Sequence, residues 1–239
     1  TWTAKDSNRN WRAVAVSSTY QYQTAVAENG QLYISSDYGN TWTAKDSSRS
    51  WRSVSVSSTG QYQTAVAYYG QIYISSDYGN TWTAKDSSRA WFKVSMSSNG
   101  QYQTAVAAFG DQIYVSSNYG NTWTTKDSAR DWRSVSVSST GQYQTATVFG
   151  GQIYISSDYG NTWTAKDSNR NWYSVSVSST GQYQTSVVNA GQIYASSDYG
   201  NTWTVEDSNR NWVAVSVSSN GQYQTAVIDG GQIYISSDY

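Results

Sequence analysis

One eight-residue string, Ser-Ser-Asp-Tyr-Gly-Asn-Thr-Trp, returns along this chain at a nearly fixed interval. It is complete at 35–42, 75–82, 156–163 and 196–203, and a form with Asn118 in place of Asp occupies 116–123. A second tryptophan keeps the same beat, at Trp11, Trp51, Trp91, Trp132, Trp172 and Trp212. The interval is forty residues, and forty-one where Asp111 is inserted. A unit of this size cannot bury its own apolar face and needs neighbouring copies to do so. The 239 residues are therefore expected to form a single domain, 1–239, made of stacked repeats.

The first unit shows what each copy builds. Trp11-Arg12-Ala13-Val14-Ala15-Val16-Ser17 alternates with period two, which predicts a strand with Val14 and Val16 on one face and Ala13 and Ala15 on the other. A Ser-Ser-Thr/Asn-Gly turn follows in the later units, as at 57–60, where the first unit has Tyr20 in place of glycine. If that corner needs a positive φ, Tyr20 is strained there. Further strands are predicted at 21–27, 31–35 and 41–46, with no apolar period suited to a helix. Four short antiparallel strands in a period near forty are the pattern of a propeller blade. The expected fold is all-β, a six-bladed β-propeller of four-stranded antiparallel blades. Its ring is expected to close by pairing an N-terminal strand, Thr1 to Asp6, with the three C-terminal strands, beside Gln232 to Ser236. Closure of this kind removes the exposed edges that promote aggregation.

Composition removes several chemistries. Formal net charge is −1, so no basic footprint for nucleic acid exists. The chain has no cysteine and no histidine, which excludes thiol chemistry and the commonest general base and metal ligand. No metal and no cofactor are expected. No apolar run reaches the ~20 residues of a membrane helix. No signal-peptide pattern is present and the chain opens on Thr1 rather than Met, the expectation for a processed product or a fragment. A monomer is expected.

The motif Ser-x-Asp-x-Gly-x-Thr-Trp resembles the Asp-box, or bacterial neuraminidase repeat, of sialidases and other propellers. The residues that carry the resemblance are Asp37, Gly39 and Trp42; Asp77, Gly79 and Trp82; Asn118, Gly120 and Trp123; Asp158, Gly160 and Trp163; and Asp198, Gly200 and Trp203. A sixth copy is split between Asp238 and Trp2. The resemblance implies a structural turn between third and fourth strands, in which the carboxylate accepts backbone N–H groups and the tryptophan packs between sheets. It also favours an extracellular setting. Sialidases use an arginine triad, a Tyr–Glu nucleophile and an Asp acid/base. Here the nine arginines are spread around the repeats and only Glu28 and Glu206 occur, so the sequence lacks the asymmetric grouping an active site needs. The expected role is non-catalytic.

Two surfaces are candidates for binding. The connection from fourth to first strand reads Asp-Ser-x-Arg-x-Trp in every unit. It offers Arg9 and Trp11, Arg49 and Trp51, Arg89 and Trp91, Arg130 and Trp132, Arg170 and Trp172, and Arg210 and Trp212. Arginine donates bidentate bonds and tryptophan offers a stacking face, a chemistry suited to glycans or another small polar ligand at several equivalent sites. The alternative is structural, with each Arg paired to its own Asp and packed on an aromatic ring. The second-to-third connections differ between units. Tyr68, Tyr69, Phe109 and Phe149 stand there either as drift in exposed turns or as a partner surface. The residue after the second tryptophan also varies, as Arg12, Arg52, Phe92, Arg133, Tyr173 and Val213, which suggests a half-exposed position without fixed chemistry. Two functions follow, a multivalent lectin-like module on the rim opposite the boxes or a repeat scaffold, engineered or recently amplified, with no evolved ligand; a sialidase-like glycoside hydrolase is the remote third.

Overall fold

The structure is a computed structural model and describes residues 1 and 3–238. It is all-β, with no helix among the described residues. Eight strands pair in chain order: β1 (Trp11–Val16), β2 (Gln23–Ser35), β3 (Thr43–Val56), β4 (Gln63–Ser75), β5 (Thr83–Met96), β6 (Gln103–Ala107), β7 (Asp111–Ser116) and β8 (Thr124–Arg130). A second run joins β9 (Trp132–Val137), β10 (Gln144–Ser156), β11 (Thr164–Val177), β12 (Gln184–Val188), β13 (Ile193–Ser196) and β14 (Thr204–Val205). The last three, β15 (Trp212–Val217), β16 (Gln224–Ile228) and β17 (Ile233–Ser236), form their own sheet. Every pairing is antiparallel.

The long strands pass from one repeat to the next. β3 pairs β2 through Tyr33↔Ala44 and β4 through Val54↔Ala65, turning at Asp46, whose φ is 56°. The fourth-to-first connection is therefore not a free loop. It pairs with the second-to-third connection at Glu28↔Ser50 and Gly30↔Arg49.

The core lies between successive repeats. Val26, Leu32 and Ile34 of the first unit pack with Trp51, Val54, Ala65, Ala67 and Tyr73 of the second, and the pattern recurs down the chain. Trp51, Trp91, Trp132, Trp172 and Trp212 are fully buried in these seams, whereas Trp11, against which no described repeat packs, stays 39% exposed. A buried Thr–Gln bond crosses each seam, as from Thr64 to Gln103 at 2.6 Å. Along the inner edge a backbone chain runs Ser18→Ser58→Ser98→Ser139→Ser179→Ser219, each N–H donating to the next carbonyl at 2.8–2.9 Å. Val16, Val56, Met96, Val137, Val177 and Val217 converge on one cavity, so all the repeats surround a common axis.

The expected ring closure is not formed. Thr3 to Asn10 carry no strand, and β17 has no partner on its outer side among the described residues. The sixth serine link is missing, and Val14, Ile233 and Ile235 are exposed. Trp2 of the split box lies outside the described residues. Lys5 nonetheless sits as a preceding repeat's lysine does: its Nζ donates to Asn40 Oδ1 at 3.2 Å, as Lys126 does to Asn161 at 3.3 Å. Tyr20 has φ 64°, the left-handed conformation that glycine takes at this corner in the other units. The strain expected there is present, and its consequence for closure is developed below.

Candidate functional site

Each Asp turn is a closed hydrogen-bond unit. Asp37 Oδ1 accepts the Thr41 N–H at 2.9 Å, and Oδ2 accepts the Thr41 hydroxyl at 2.7 Å. Ser35 Oγ donates to Asp37 at 2.8 Å and accepts the Gly39 N–H at 2.9 Å. The backbone bond from Thr41 is the main reason the Asp37 carboxyl falls to a pKa of about 2. Asn118 holds the same turn, its Oδ1 accepting the Thr122 N–H at 3.0 Å. The turn lies between the third and fourth strands and its carboxylate points inward to its own loop. Trp42, Trp82, Trp123, Trp163 and Trp203 are half-buried, each donating its indole N–H to the turn glycine's carbonyl at 2.9–3.2 Å.

The six arginine–tryptophan pairs are differently placed from the ligand reading. Trp51, Trp91, Trp132, Trp172 and Trp212 have no exposed surface and present no stacking face. Five arginines reach the Asp three residues before them: Arg9–Asp6 and Arg49–Asp46 at 3.4 Å, Arg130–Asp127 and Arg210–Asp207 at 3.5 Å, and Arg170–Asp167 at 3.6 Å. Arg89 pairs instead with the inserted Asp111 at 3.3 Å, and Tyr114 donates to that carboxylate at 3.0 Å. Burial first, then the Asp111 bond, pushes the Tyr114 phenol well up. Each guanidinium also lies 4.2–4.7 Å from the ring of Tyr33, Tyr73, Tyr114, Tyr154, Tyr194 or Tyr234. That tyrosine meets the buried tryptophan edge-on, at 5.0 Å for Trp51 and Tyr73. The Asp-Arg-Tyr-Trp stack is a seam between repeats. Its tyrosines escaped the sequence reading because their partners lie a strand away. Their signal was the constant Tyr of the third strand.

What the structure does gather on this rim is asymmetric. Arg12 and Arg52 both pair with Glu28, the latter at 3.9 Å. The Arg52 guanidinium lies over Tyr68 at 5.2 Å and Phe92 at 5.1 Å. Arg133 lies over Phe92 and Phe149, each at 5.0 Å, and over Phe109 at 5.8 Å. It also pairs with Asp131 at 3.0 Å, whose other oxygen accepts the Phe109 N–H at 3.1 Å. Tyr68 stacks on Tyr69. Tyr69 and Phe109 remain 69% and 61% exposed. The position read from sequence as lacking fixed chemistry thus interleaves with the variable second-to-third connections across the first four repeats. Tyr173 and Val213 of the last two repeats do not join the cluster's cation–aromatic contacts. Among the described residues no group of three or more acidic side chains is placed to hold a metal ion.

No family model and no curated protein matches the chain. Solved structures do. An ancestral GH74 enzyme superposes with a TM-score of 0.76 at 16% identity, over 97% of this chain and 37% of that one. The GH74 xyloglucanase from Xanthomonas campestris gives 0.75 at 12% identity, over 96% of this chain and 45% of that one. YCF48 bound to D1 peptide gives 0.71 at 14% identity, over 96% of this chain and 78% of that one. The chain thus spans less than half the length of these GH74 enzymes, and what it shares with all three is architecture. It has the β-propeller type of fold, built from antiparallel sheets around an axis.

Proposed function

We propose that this chain is a non-catalytic binding module, a six-bladed propeller of the Asp-box kind, whose ligand surface is the rim opposite the boxes. The observation that carries this reading is the cluster of Arg52, Arg133, Tyr68, Phe92, Phe109 and Phe149, with Tyr69 and Phe109 open to solvent. A symmetric scaffold has no need of it. Three units contribute different residues, and that asymmetry distinguishes a site from a repeated structural device. Exposed aromatic faces beside guanidinium groups suit a carbohydrate ring, whose C–H faces stack while its hydroxyls accept from arginine. One such surface replaces the several equivalent sites that the arginine–tryptophan loops suggested.

A peptide ligand is the second reading. Glu28 and Asp131 alternate with arginines along the cluster, a polar ladder suited to an extended chain, and YCF48 is a propeller with a bound peptide. A glycan array and a peptide library probed with the intact chain separate the two. The Tyr69→Ser, Phe109→Ser double variant is expected to weaken the selected ligand by about tenfold or more, about 1.4 kcal/mol. Binding that is identical in the variant, or absent from both panels, leaves the repeat-scaffold reading in its place.

A further inference from the structure

The inner strands that surround the axis carry small residues at one repeated position: Ala13, Ser53, Ser134, Ser174 and Ala214. The third repeat has Lys93 there. It lies one residue beyond Phe92, on the innermost part of β5, paired in register with Val106. Its side chain is exposed although it stands on an inner strand with protein packed around it. Such a side chain faces the axial opening, since a packed interior would exclude water. Lys93 forms no ion pair and no hydrogen bond with any described residue. Burial lowers the pKa of its ammonium, as expected of a cation with no counter-charge.

The surroundings supply hydroxyl and amide donors. Ser53 Oγ accepts the N–H of Val94 at 3.3 Å, and Ser134 Oγ accepts that of Val175 at 3.3 Å. Lys93 occupies the place of that oxygen in its own repeat, and an ammonium cannot accept. No side-chain oxygen at position 93 is present to cap the equivalent amide, Val135 N–H. One step along, Ser95 and Ser136 Oγ accept from Val137 and Val177 at 3.1 and 3.2 Å. Each of these serines spends a lone pair on a backbone N–H and keeps its hydroxyl proton to donate.

We propose that the axial opening beside β5 and β9 is a binding site for a small oxyanion, with Lys93 as its charged ligand and neighbouring serine hydroxyls and the Val135 amide as further donors. This site is separate from the rim surface above and stands or falls without it. The test is a titration of the intact protein with sodium phosphate, and separately with sodium acetate, at ionic strength held constant with chloride. Backbone amide shifts of Val94, Ser95 and Val135 are the readout. A saturable shift confined to these amides is expected. Lys93→Ser installs the residue that repeats two, four and five already carry, so the fold is kept, and it should weaken binding at least about tenfold, the loss of one charge-assisted contact. Response to phosphate alone assigns the site to phosphate-like anions, and response to acetate as well assigns it to carboxylates. No saturable shift with either anion, or an unchanged response in Lys93→Ser, overturns the proposal.

Discussion

Replacing Tyr20 with glycine is expected to draw the two ends of the chain together. At the equivalent corners Gly60, Gly100, Gly141, Gly181 and Gly221, an added Cβ would stand only 2.5–2.7 Å from the Cβ of Tyr22, Tyr62, Tyr102, Tyr143 and Tyr183 of the preceding repeat. When the β15–β17 sheet approaches the first repeat, residue 20 meets Tyr223 in the same way, and only glycine fits. Tyr20 is tolerated at φ 64° because no tyrosine of another described repeat packs against it and the side chain is 70% exposed. Relief of the left-handed backbone is worth about 1–2 kcal/mol. The new glycine's freedom in the unfolded chain takes back about 0.5–1 kcal/mol. The larger gain is burial. Val14, Ile233 and Ile235 are 63%, 71% and 84% exposed, and full burial of each such side chain is worth about 1.5–3 kcal/mol. Each 1 kcal/mol of this gain that is realised raises the melting midpoint by roughly 2–4 °C for a chain of this size. Calorimetry gives the midpoint, and hydrogen exchange at Ser219 and at 233–236 reports closure directly. Tyr20→Ala is the control, because it removes the ring and keeps the obstructing Cβ. Equal stabilisation and equal amide protection in the alanine and glycine variants would refute the steric argument. So would a glycine variant whose terminal amides exchange as freely as before.

Two further outcomes test the seams and the turns. Trp132→Ala empties a fully buried seam position and should cost about 3–5 kcal/mol by chemical denaturation, while Trp11→Ala, already 39% exposed, should cost clearly less; equal losses would contradict the open first repeat. The Asp37 carboxyl lies below its ordinary 3.8, at about 2, chiefly through the Thr41 backbone bond, so its contribution is complete above about pH 4 and is lost as pH falls through 2. The Thr41 amide should follow that titration by NMR, while the Thr122 amide, held by the uncharged Asn118, stays flat over the same range. A Thr41 midpoint in the ordinary carboxylate range would break the link between turn geometry and acidity.

Much of the architecture was legible because it is periodic. Strand alternation, turn chemistry and the forty-residue interval are local properties, and they placed the Asp turns between third and fourth strands without any knowledge of contacts. Asn118 holds the same turn because an amide oxygen accepts the same bond. The role of the arginines was not legible, since the same Asp-Ser-x-Arg-x-Trp string suits either a ligand or a seam. Tertiary packing chose the seam for Trp51 and its equivalents by placing a whole repeat against each one. The inserted Asp111 looked like an irregularity until its carboxylate was found between Arg89 and Tyr114.

By itself, then, the sequence determined that the chain is all-β, repetitive and without thiol or imidazole chemistry, because these follow from residue identity and spacing. Only the tertiary structure decided which of its aromatic and charged residues are sealed and which are open. Burial depends on what the neighbouring repeat brings to the contact. Tyr68, Phe92, Phe109, Phe149 and Arg133 come from three units and share no sequence neighbourhood, so their meeting on one rim is visible only in three dimensions. The same holds for Lys93 at the axis and for Tyr20 at the open end: each is one departure from a repeated pattern, and its meaning depends on the space that the other repeats leave around it.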